Sequence, residues 1–472
     1  MVRWLPWDAE AFARAAREGK PVLLSITAAW CRACHEMDRT TYADPAVAAL
    51  IHERFVPVRV DTDRRPDINE RYNLGGWPTT AFLTASGALI TGGTFVPVER
   101  MTGVLTQVAA AVARVADSGG RPAEGERPAA SGERTADGGD PAAASGDLID
   151  AIFAAFDEEH GGFGIEPKFP HTAPLHLAMG LFHETGDERW RLVVRRTLDA
   201  MAEGGLWDRA RGGFYRYATT RDWQLPHQEK LLETNASLLR VYAEAAAEWN
   251  DPADAARTRA IATFITTVLR AEAGGYHGSD AEAVFYVDSN AAAAGALLRA
   301  AAALDDSDLA REALASFERV LLLCYRPALG VAHYFDGSAR VRGLLADHVA
   351  AIAALLDAHD LSGLEPYRMM AEELGHLVVR DMRDERTGGF FDRAATPEDV
   401  GLLRARRQPF VGNADAALAF ARLSRLEPRK GFPDPGAFRD HAGGALAAAA
   451  RQLDGQGPLA AHYALARRLL ID

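Results

Sequence analysis

Residues 22–35 read VLLSITAAWCRACH and combine an apolar run with two closely spaced cysteines. Residues 22–26 are typical of a buried strand, and a short turn leads from them to Cys31 and Cys34. If a helix begins at this pair, its unpaired N–H groups and its dipole stabilise a thiolate there, and Arg32 adds a positive charge. The sequence therefore predicts Cys31 as an exposed nucleophile and Cys34 as the resolving thiol.

The segments that follow the cysteines are typical of a thioredoxin fold. Residues 55–60, FVPVRV, predict a second strand, and residues 81–84 predict a third one directly after GGWPTT. Thioredoxin folds place a cis-proline at the start of the third strand, facing the cysteines, and Pro78 has this position. We therefore predict an α/β thioredoxin-like domain over residues 1–116, with Cys31, Cys34 and Pro78 as its catalytic residues.

The cysteine pair has other interpretations. Cys31-x-x-Cys34-His35 matches the c-type haem attachment motif, but that chemistry needs an exported chain, and no signal peptide is visible. A zinc site would need two further ligands, and the third cysteine, Cys324, is distant and predicted to be a buried core thiol. We therefore expect no metal and no cofactor. A degenerate thioredoxin fold stays open, because the acidic proton acceptor of thioredoxin is replaced by Ser25.

Length and composition limit the classes of function. The chain has 472 residues, 48% of them hydrophobic, which predicts two or three domains with sizeable cores. A net charge of −13 makes nucleic acid or an anionic membrane surface an unexpected partner. Three cysteines do not form a disulfide framework, and no run reaches about 20 apolar residues. We therefore expect a cytoplasmic protein, with a composition typical of high-GC bacteria.

Beyond the first domain the pattern changes twice. Residues 117–146 are rich in Gly, Pro, Ala and charge and predict a flexible linker. Residues 147–472 contain twelve amphipathic helical stretches, joined alternately by short loops and by long loops that carry glycine and aromatic residues. The predicted starts are Asp147, Thr172, Asp187, Gln228, Asp251, Ser289, Ser307, Leu344, Gly363, Gly412, Pro435 and Gly457. Six helical hairpins of this kind predict an all-α (α/α)6 toroid.

In such a toroid all the long loops lie at one end, and the inner helices begin there. Acidic side chains beside aromatic rings at such a mouth are typical of carbohydrate-active enzymes, because rings stack on sugars and carboxylates transfer protons. The cavity candidates are His227, Glu229, Lys230 and Asn235 at one inner helix, Asp280 and Glu282 in a long loop, and Asp347 at another inner helix. The alternative for Asp288, Asp347 and Asn413 is an ordinary helix cap.

With both halves considered, the chain resembles the spermatogenesis-associated protein 20 type of thioredoxin-domain protein. The matching segments are CRACHEM at 31–37, VDTDRRPDIN at 60–69, GGWP at 75–78, GTFVP at 93–97, GFG at 162–164, PKFP at 167–170, GFYRY at 213–217, PHQEKLL at 226–232 and GGFFD at 388–392. The resemblance implies an N-terminal thioredoxin-like domain and a six-hairpin barrel similar to sugar epimerases and glycosidases. Arg32, Ala33 and Gln228 depart from the family pattern.

These observations leave three hypotheses about function. In the first, Cys31 and Cys34 exchange disulfides with a protein client, and the barrel binds a client or a second substrate. In the second, the barrel acts on a small sugar through Glu229, Asp280 and Asp347, and the thioredoxin-like domain is accessory. In the third, both folds only bind. Redox activity that depends on Cys31 would favour the first, and sugar binding that depends on Glu229 would favour the second.

Overall fold

A computed structural model describes residues 1–117 and 144–471. The predicted linker therefore lies almost wholly outside the described residues. The described chain forms two compact units. The first contains residues 1–117 together with residues 395–406, and the second contains residues 144–394 and 407–471.

The first unit is an α/β sandwich around a four-stranded sheet with the strand order β2-β1-β3-β4. Strand β1 pairs in parallel with β2 and antiparallel with β3, and β3 pairs antiparallel with β4. The elements are α1 (Ala9–Glu18), β1 (Val22–Thr27), α2 (Arg32–Arg39), α3 (Pro45–Arg54), β2 (Val56–Asp61), α4 (Pro66–Tyr72), β3 (Thr79–Leu83), β4 (Leu89–Gly93) and α5 (Val98–Asp117). This confirms the thioredoxin-like fold that the sequence predicted.

Local chemistry explains these helix starts. Asp8 and Asp44 accept the N–H groups of Ala11 and Val47 in the first turns of α1 and α3, and Pro45 occupies the first position of α3. Strand β1 is almost continuously apolar because both faces of the sheet are covered by helices. The cysteine pair thus follows the central, most buried part of the sheet.

Residues 395–406 complete the core of the first unit. Val400 and Leu403 are buried in the same apolar cluster as strands β1 and β2. The buried Arg71 donates to the carbonyls of Leu402 and Ala405, both at 3.0 Å. The N–H of Leu402 donates to the Tyr72 hydroxyl, which itself donates to the Gly87 carbonyl. This late segment of the chain is therefore an integral part of the thioredoxin-like unit, although the predicted domain bounds assign it to the barrel.

The second unit contains twelve helices in the described chain, in agreement with the predicted (α/α)6 toroid. The outer helices are α6 (Ala144–Phe153), α8 (Glu188–Glu203), α10 (Pro252–Thr267), α12 (Ser307–Cys324), α14 (Glu365–Met382) and α16 (Phe438–Ala450). The inner helices are α7 (Ala173–Thr185), α9 (Leu232–Trp249), α11 (Val287–Leu304), α13 (Leu345–Ser362), α15 (Phe410–Ser424) and α17 (Ala460–Ile471). Each inner helix contacts the next, and α17 contacts α7, which closes the ring.

The inner helices pack closely because small residues face their neighbours. The buried positions of α11 include six alanines and one glycine, and this helix has its main contacts with α9 and α13. A small sheet, which the sequence analysis did not predict, lies in the loops around α11 and α12. Its strands are β5 (Phe285–Tyr286), β6 (Tyr325–Arg326), β7 (Gly330–Phe335) and β8 (Ala339–Arg342). Within the described ranges, no helix has the length and apolarity needed to cross a membrane.

Candidate functional site

Cys31 and Cys34 form a disulfide across the first turn of α2, with their Cα atoms 5.2 Å apart. Cys31 is the N-cap residue of this helix, and its sulfur accepts the backbone N–H of Cys34 at 3.1 Å. The same N–H is placed to stabilise a Cys31 thiolate once the disulfide opens. The local structure therefore places the helix N-terminus at Cys31, as the strand–turn–helix pattern predicted.

The sulfur pair is less accessible than the sequence suggested. Cys31 is 5% exposed and Cys34 is 2% exposed, so the expectation of an exposed Cys31 is wrong for this oxidised state. Trp30 and Trp77 cover the pair, with their rings 5.4 Å apart in an edge-to-face arrangement. Of the two residues, Cys31 is still the more exposed one.

Neighbouring residues hold the cysteine loop in place. The Trp77–Pro78 peptide bond is cis, and Pro78 is buried at the start of β3. The Trp30 indole N–H donates to Asp63 Oδ2 at 2.6 Å. Asp61, at the end of β2, accepts backbone N–H groups from Asp63 and from the turn before Cys31, and burial raises the pKa of this carboxyl. These contacts fix the loop on which the cysteines lie.

Lys230, one of the predicted cavity residues, holds a loop of the barrel in place. Lys230 is 2% exposed, and its ammonium donates to Asp208 Oδ2 at 2.6 Å and to the Gly212 carbonyl at 2.7 Å. Lys168 makes the equivalent bond to Asp157 Oδ2 at 2.7 Å one hairpin earlier. Burial alone would raise the pKa of Asp208, but Lys230 and backbone N–H groups hold it well below its ordinary value. Lys230 is thus a structural ion-pair partner of a repeated turn.

Asn235 has a similar structural role. It is fully buried, and its amide both accepts the N–H and donates to the carbonyl of the aromatic residue in a Gly-Gly-aromatic loop. Three such two-bond clamps occur among the described residues. Asn235 holds Phe214 through bonds of 2.7 and 3.0 Å, Asn290 holds Tyr276 through bonds of 2.7 and 2.8 Å, and Asn413 holds Phe390 through bonds of 2.7 and 2.9 Å. Neither a catalytic role nor a simple N-cap describes these residues, because their amides fix the preceding loop.

His227 and Glu229 form a partly accessible polar pair beside an aromatic stack. His227 Nδ1 is hydrogen-bonded to the nearly buried Glu229 carboxylate. The Tyr217 ring lies between the rings of His227 and Phe169, with centroids 4.9 and 4.7 Å away. Burial raises the pKa of Tyr217, and the Glu229 carboxylate adds to this effect. The stack presents ring surface next to a carboxylate, which is a suitable arrangement for a sugar.

The two candidates in the third long loop do not lie in one catalytic group. Asp280 makes a long ion pair with Arg211 at 3.8 Å, and Glu282 accepts the Tyr286 hydroxyl at 3.1 Å. Both interactions hold the loop that precedes α11. The predicted trio of Glu229, Asp280 and Asp347 therefore has no shared hydrogen bond or ion pair among the contacts of the described residues.

Asp347 belongs to a cluster that the sequence analysis did not assemble. His333 on β7 is bonded through Nδ1 to Asp347 Oδ1 at 2.8 Å, and both side chains are buried. Asp288, at the start of α11, brings a ligand-type atom within 4.8 Å of one on each of them. Burial raises the pKa of Asp288, and the Asp347 carboxylate adds to this rise. The three residues come from β7 and two inner helices, so no sequence spacing indicated them.

Glu233 extends this acidic region. Its side chain is solvent-accessible at the start of α9, yet surrounding protein reduces its hydration and raises its pKa, and the Asp288 carboxylate raises it further. Arg216 acts in the opposite direction on this pKa. The mouth of the toroid near α9, α11 and α13 thus concentrates carboxylates around one histidine.

Sequence comparisons confirm the resemblance inferred from the motifs. Residues 1–121 match the family described as "Protein of unknown function, DUF255", or Thioredox_DsbH. Spermatogenesis-associated protein 20 of Rattus norvegicus is 31% identical over 306 residues, 59% of this chain and 38% of the relative. Uncharacterized protein B0495.5 of Caenorhabditis elegans is 29% identical over 52% of this chain and 36% of the relative. The chain therefore spans well under half the length of these curated relatives.

A shorter match is to a protein whose name states a thiol–disulfide activity. The thiol:disulfide interchange protein DsbD of Ralstonia nicotianae is 38% identical over 81 residues, 16% of this chain and 13% of that protein.

Comparison with solved structures confirms the toroid. The cellobiose 2-epimerase of Spirochaeta thermophila has a TM-score of 0.53 at 15% identity, covering 64% of this chain and 84% of that one. A D-mannose isomerase has a TM-score of 0.56 at 13% identity, and the match covers 70% of this chain and 96% of the isomerase. At such identities the likeness concerns the fold alone.

Proposed function

We propose that this chain carries out thiol–disulfide exchange through Cys31 and Cys34. The observation that carries the proposal is the disulfide across the first turn of α2, with Cys31 as the N-cap that receives the N–H of Cys34. A helix N-terminus favours the thiolate form, which is the nucleophile in exchange. The match to a protein named as a thiol:disulfide interchange protein supports the same chemistry.

The exchange proceeds in two steps, and in each step one S–S bond forms while another breaks. The reduced Cys31 thiolate attacks one sulfur of a client disulfide, which forms a mixed disulfide and releases one client thiolate. Cys34 then loses its proton and attacks the Cys31 sulfur, which releases the second client thiolate and forms the Cys31–Cys34 disulfide. Two electrons thus pass from the pair to the client. A thiol reductant regenerates the pair in a reducing compartment, which we take to be the cytoplasm.

The test uses Cys34→Ser and a purified peptide that contains one disulfide. Because this variant keeps the attacking thiol but lacks the resolving one, it should accumulate a mixed disulfide between Cys31 and the peptide. Intact-mass spectrometry would show the added mass on the variant and not on the wild type, which releases the peptide. A variant that gains no peptide mass under these conditions would contradict the proposal.

A second function is favoured by one specific arrangement, the aromatic stack beside the His227–Glu229 pair. We propose as the alternative that the barrel binds a small sugar there, with the outer rings of the stack, Phe169 and His227, against the sugar. The named activities of the structural neighbours, a cellobiose 2-epimerase and a D-mannose isomerase, suggest this ligand class. Calorimetry with cellobiose and mannose should show binding that Glu229→Gln weakens, and wild-type chain that binds neither would exclude this candidate for them.

A further inference from the structure

The cluster formed by Asp288, His333 and Asp347 has the composition of a metal site. It offers two carboxylates and one imidazole, with one ligand-type atom of each residue within 4.8 Å of the others. Bonds of about 2.0–2.2 Å to a common cation would place such atoms roughly 3–4 Å apart. The observed spacing needs only small side-chain movements to reach this arrangement.

Asp347 supplies the observation that points to a ligand. Its side chain is fully buried, and Oδ1 accepts a hydrogen bond from His333, but Oδ2 has no hydrogen-bond partner in the described part of the chain. A buried oxygen without a hydrogen-bond partner destabilises the folded chain, and the cost is larger when the oxygen is charged. Since both oxygens belong to the carboxylate that faces His333, the unsatisfied oxygen lies at the cluster.

Asp288 is held in place on its own helix. Its Oδ1 accepts the backbone N–H of Ser289 at 2.6 Å and the Ser289 hydroxyl at 3.2 Å. The carboxylate is therefore oriented before any ligand arrives, and it is half-buried, so one side of the cluster is more accessible than Asp347 and His333. Preorganised ligands of this kind lower the cost of binding a cation.

We infer that Asp288, His333 and Asp347 bind one divalent cation of the Mn²⁺ or Zn²⁺ type. Two carboxylates balance its charge, and one imidazole nitrogen favours a first-row transition metal over Mg²⁺ or Ca²⁺. Binding replaces the His333–Asp347 hydrogen bond with bonds to the cation and satisfies the Asp347 Oδ2 atom. Three protein ligands leave a coordination position for water or substrate. The inference does not depend on thiol exchange.

The experiment is a calorimetric titration of the full chain with Mn²⁺ and Zn²⁺ after treatment with a chelator. The disulfide is kept oxidised, so that the Cys31 and Cys34 thiols cannot bind zinc. We expect one cation per chain, and at least tenfold weaker binding in Asp288→Asn and in Asp347→Asn. Asp288→Asn is the safer variant because this side chain is only half-buried, and circular dichroism checks that both variants fold.

Asp415→Asn is the matched control. Asp415 accepts a hydrogen bond from His462 Nδ1 at 2.7 Å. The two residues therefore form an Asp–His pair on α15 and α17, which are inner helices of the same toroid. Among the described residues it belongs to no three-ligand cluster. Wild-type affinity in Asp415→Asn together with the loss in Asp288→Asn would support the inference. The inference would be overturned if the wild type bound neither Mn²⁺ nor Zn²⁺. It would also be overturned if Asp288→Asn, Asp347→Asn and Asp415→Asn all bound the cation with wild-type affinity.

Discussion

Replacement of Cys31 by serine is expected to abolish reduction of a peptide disulfide by the otherwise intact chain. A serine hydroxyl is not ionised at neutral pH, and nothing in the helix N-terminus can make it an effective nucleophile toward sulfur. The Cys34 sulfur cannot take over, because it is 2% exposed and lies inside the first turn of α2. The measurement is the rate of peptide reduction by pre-reduced chain.

Cys324→Ser is the control for that measurement. Cys324 is fully buried at the end of α12, and burial raises the pKa of its thiol to about 12. It is therefore protonated and inaccessible at neutral pH, and its loss should leave the exchange rate unchanged. Retained activity in Cys31→Ser, or an equal loss in Cys324→Ser, would show that the pair on α2 does not carry the reaction.

Asp208→Asn is expected to lower the free energy of unfolding of the barrel by about 3–5 kcal/mol. The substitution leaves the Lys230 ammonium buried, with the Gly212 carbonyl as a bonded partner but without its counter-charge. Because the folded-state pKa of Asp208 is depressed, the stabilisation is present above a pH of about 4 and is lost at lower pH. Urea denaturation of the wild type and of Asp208→Asn at pH 7 measures the change in the free energy of unfolding.

The double variant Asp208→Asn, Lys230→Met tests the cause. An apolar side chain in place of the buried ammonium removes the uncompensated charge, and replacing both members of a buried pair is often close to neutral. The double variant should therefore be more stable than Asp208→Asn alone. If the double variant is no more stable than Asp208→Asn, the unpaired Lys230 ammonium is not the cause of the lost stability. The structural role assigned to Lys230 is then wrong.

Local signals were sufficient to predict much of the fold. The apolar run before Cys31 predicted β1 and the start of α2, and the predicted helix starts at Asp187 and Asp251 are N-cap residues in the structure. The twelve amphipathic stretches, joined alternately by short and long loops, predicted six hairpins, and the long loops that carry glycine and aromatic residues precede inner helices. These features depend on residues close together in the sequence, where periodicity and turn chemistry act directly.

Long-range contacts escaped prediction. Val400 and Leu403 are a short apolar stretch without periodicity, so nothing indicated that they complete the core around β1. The roles of Lys230 and Asn235 were equally hidden, since a buried lysine or asparagine suits a loop clamp as well as a catalytic site. Asp288 resembled a helix cap until the fold brought it to His333 and Asp347.

The most direct test of the proposed exchange is the redox equilibrium of the wild-type pair with glutathione. Thiol counts at Cys31 and Cys34 are followed by alkylation and mass spectrometry over a series of reduced-to-oxidised glutathione ratios. An exchange centre predicts a reversible two-electron transition with a midpoint between about −120 and −270 mV, where known exchange proteins lie. A pair that stays oxidised at every ratio while the chain is folded, and is reduced only after denaturation, would instead be a structural disulfide.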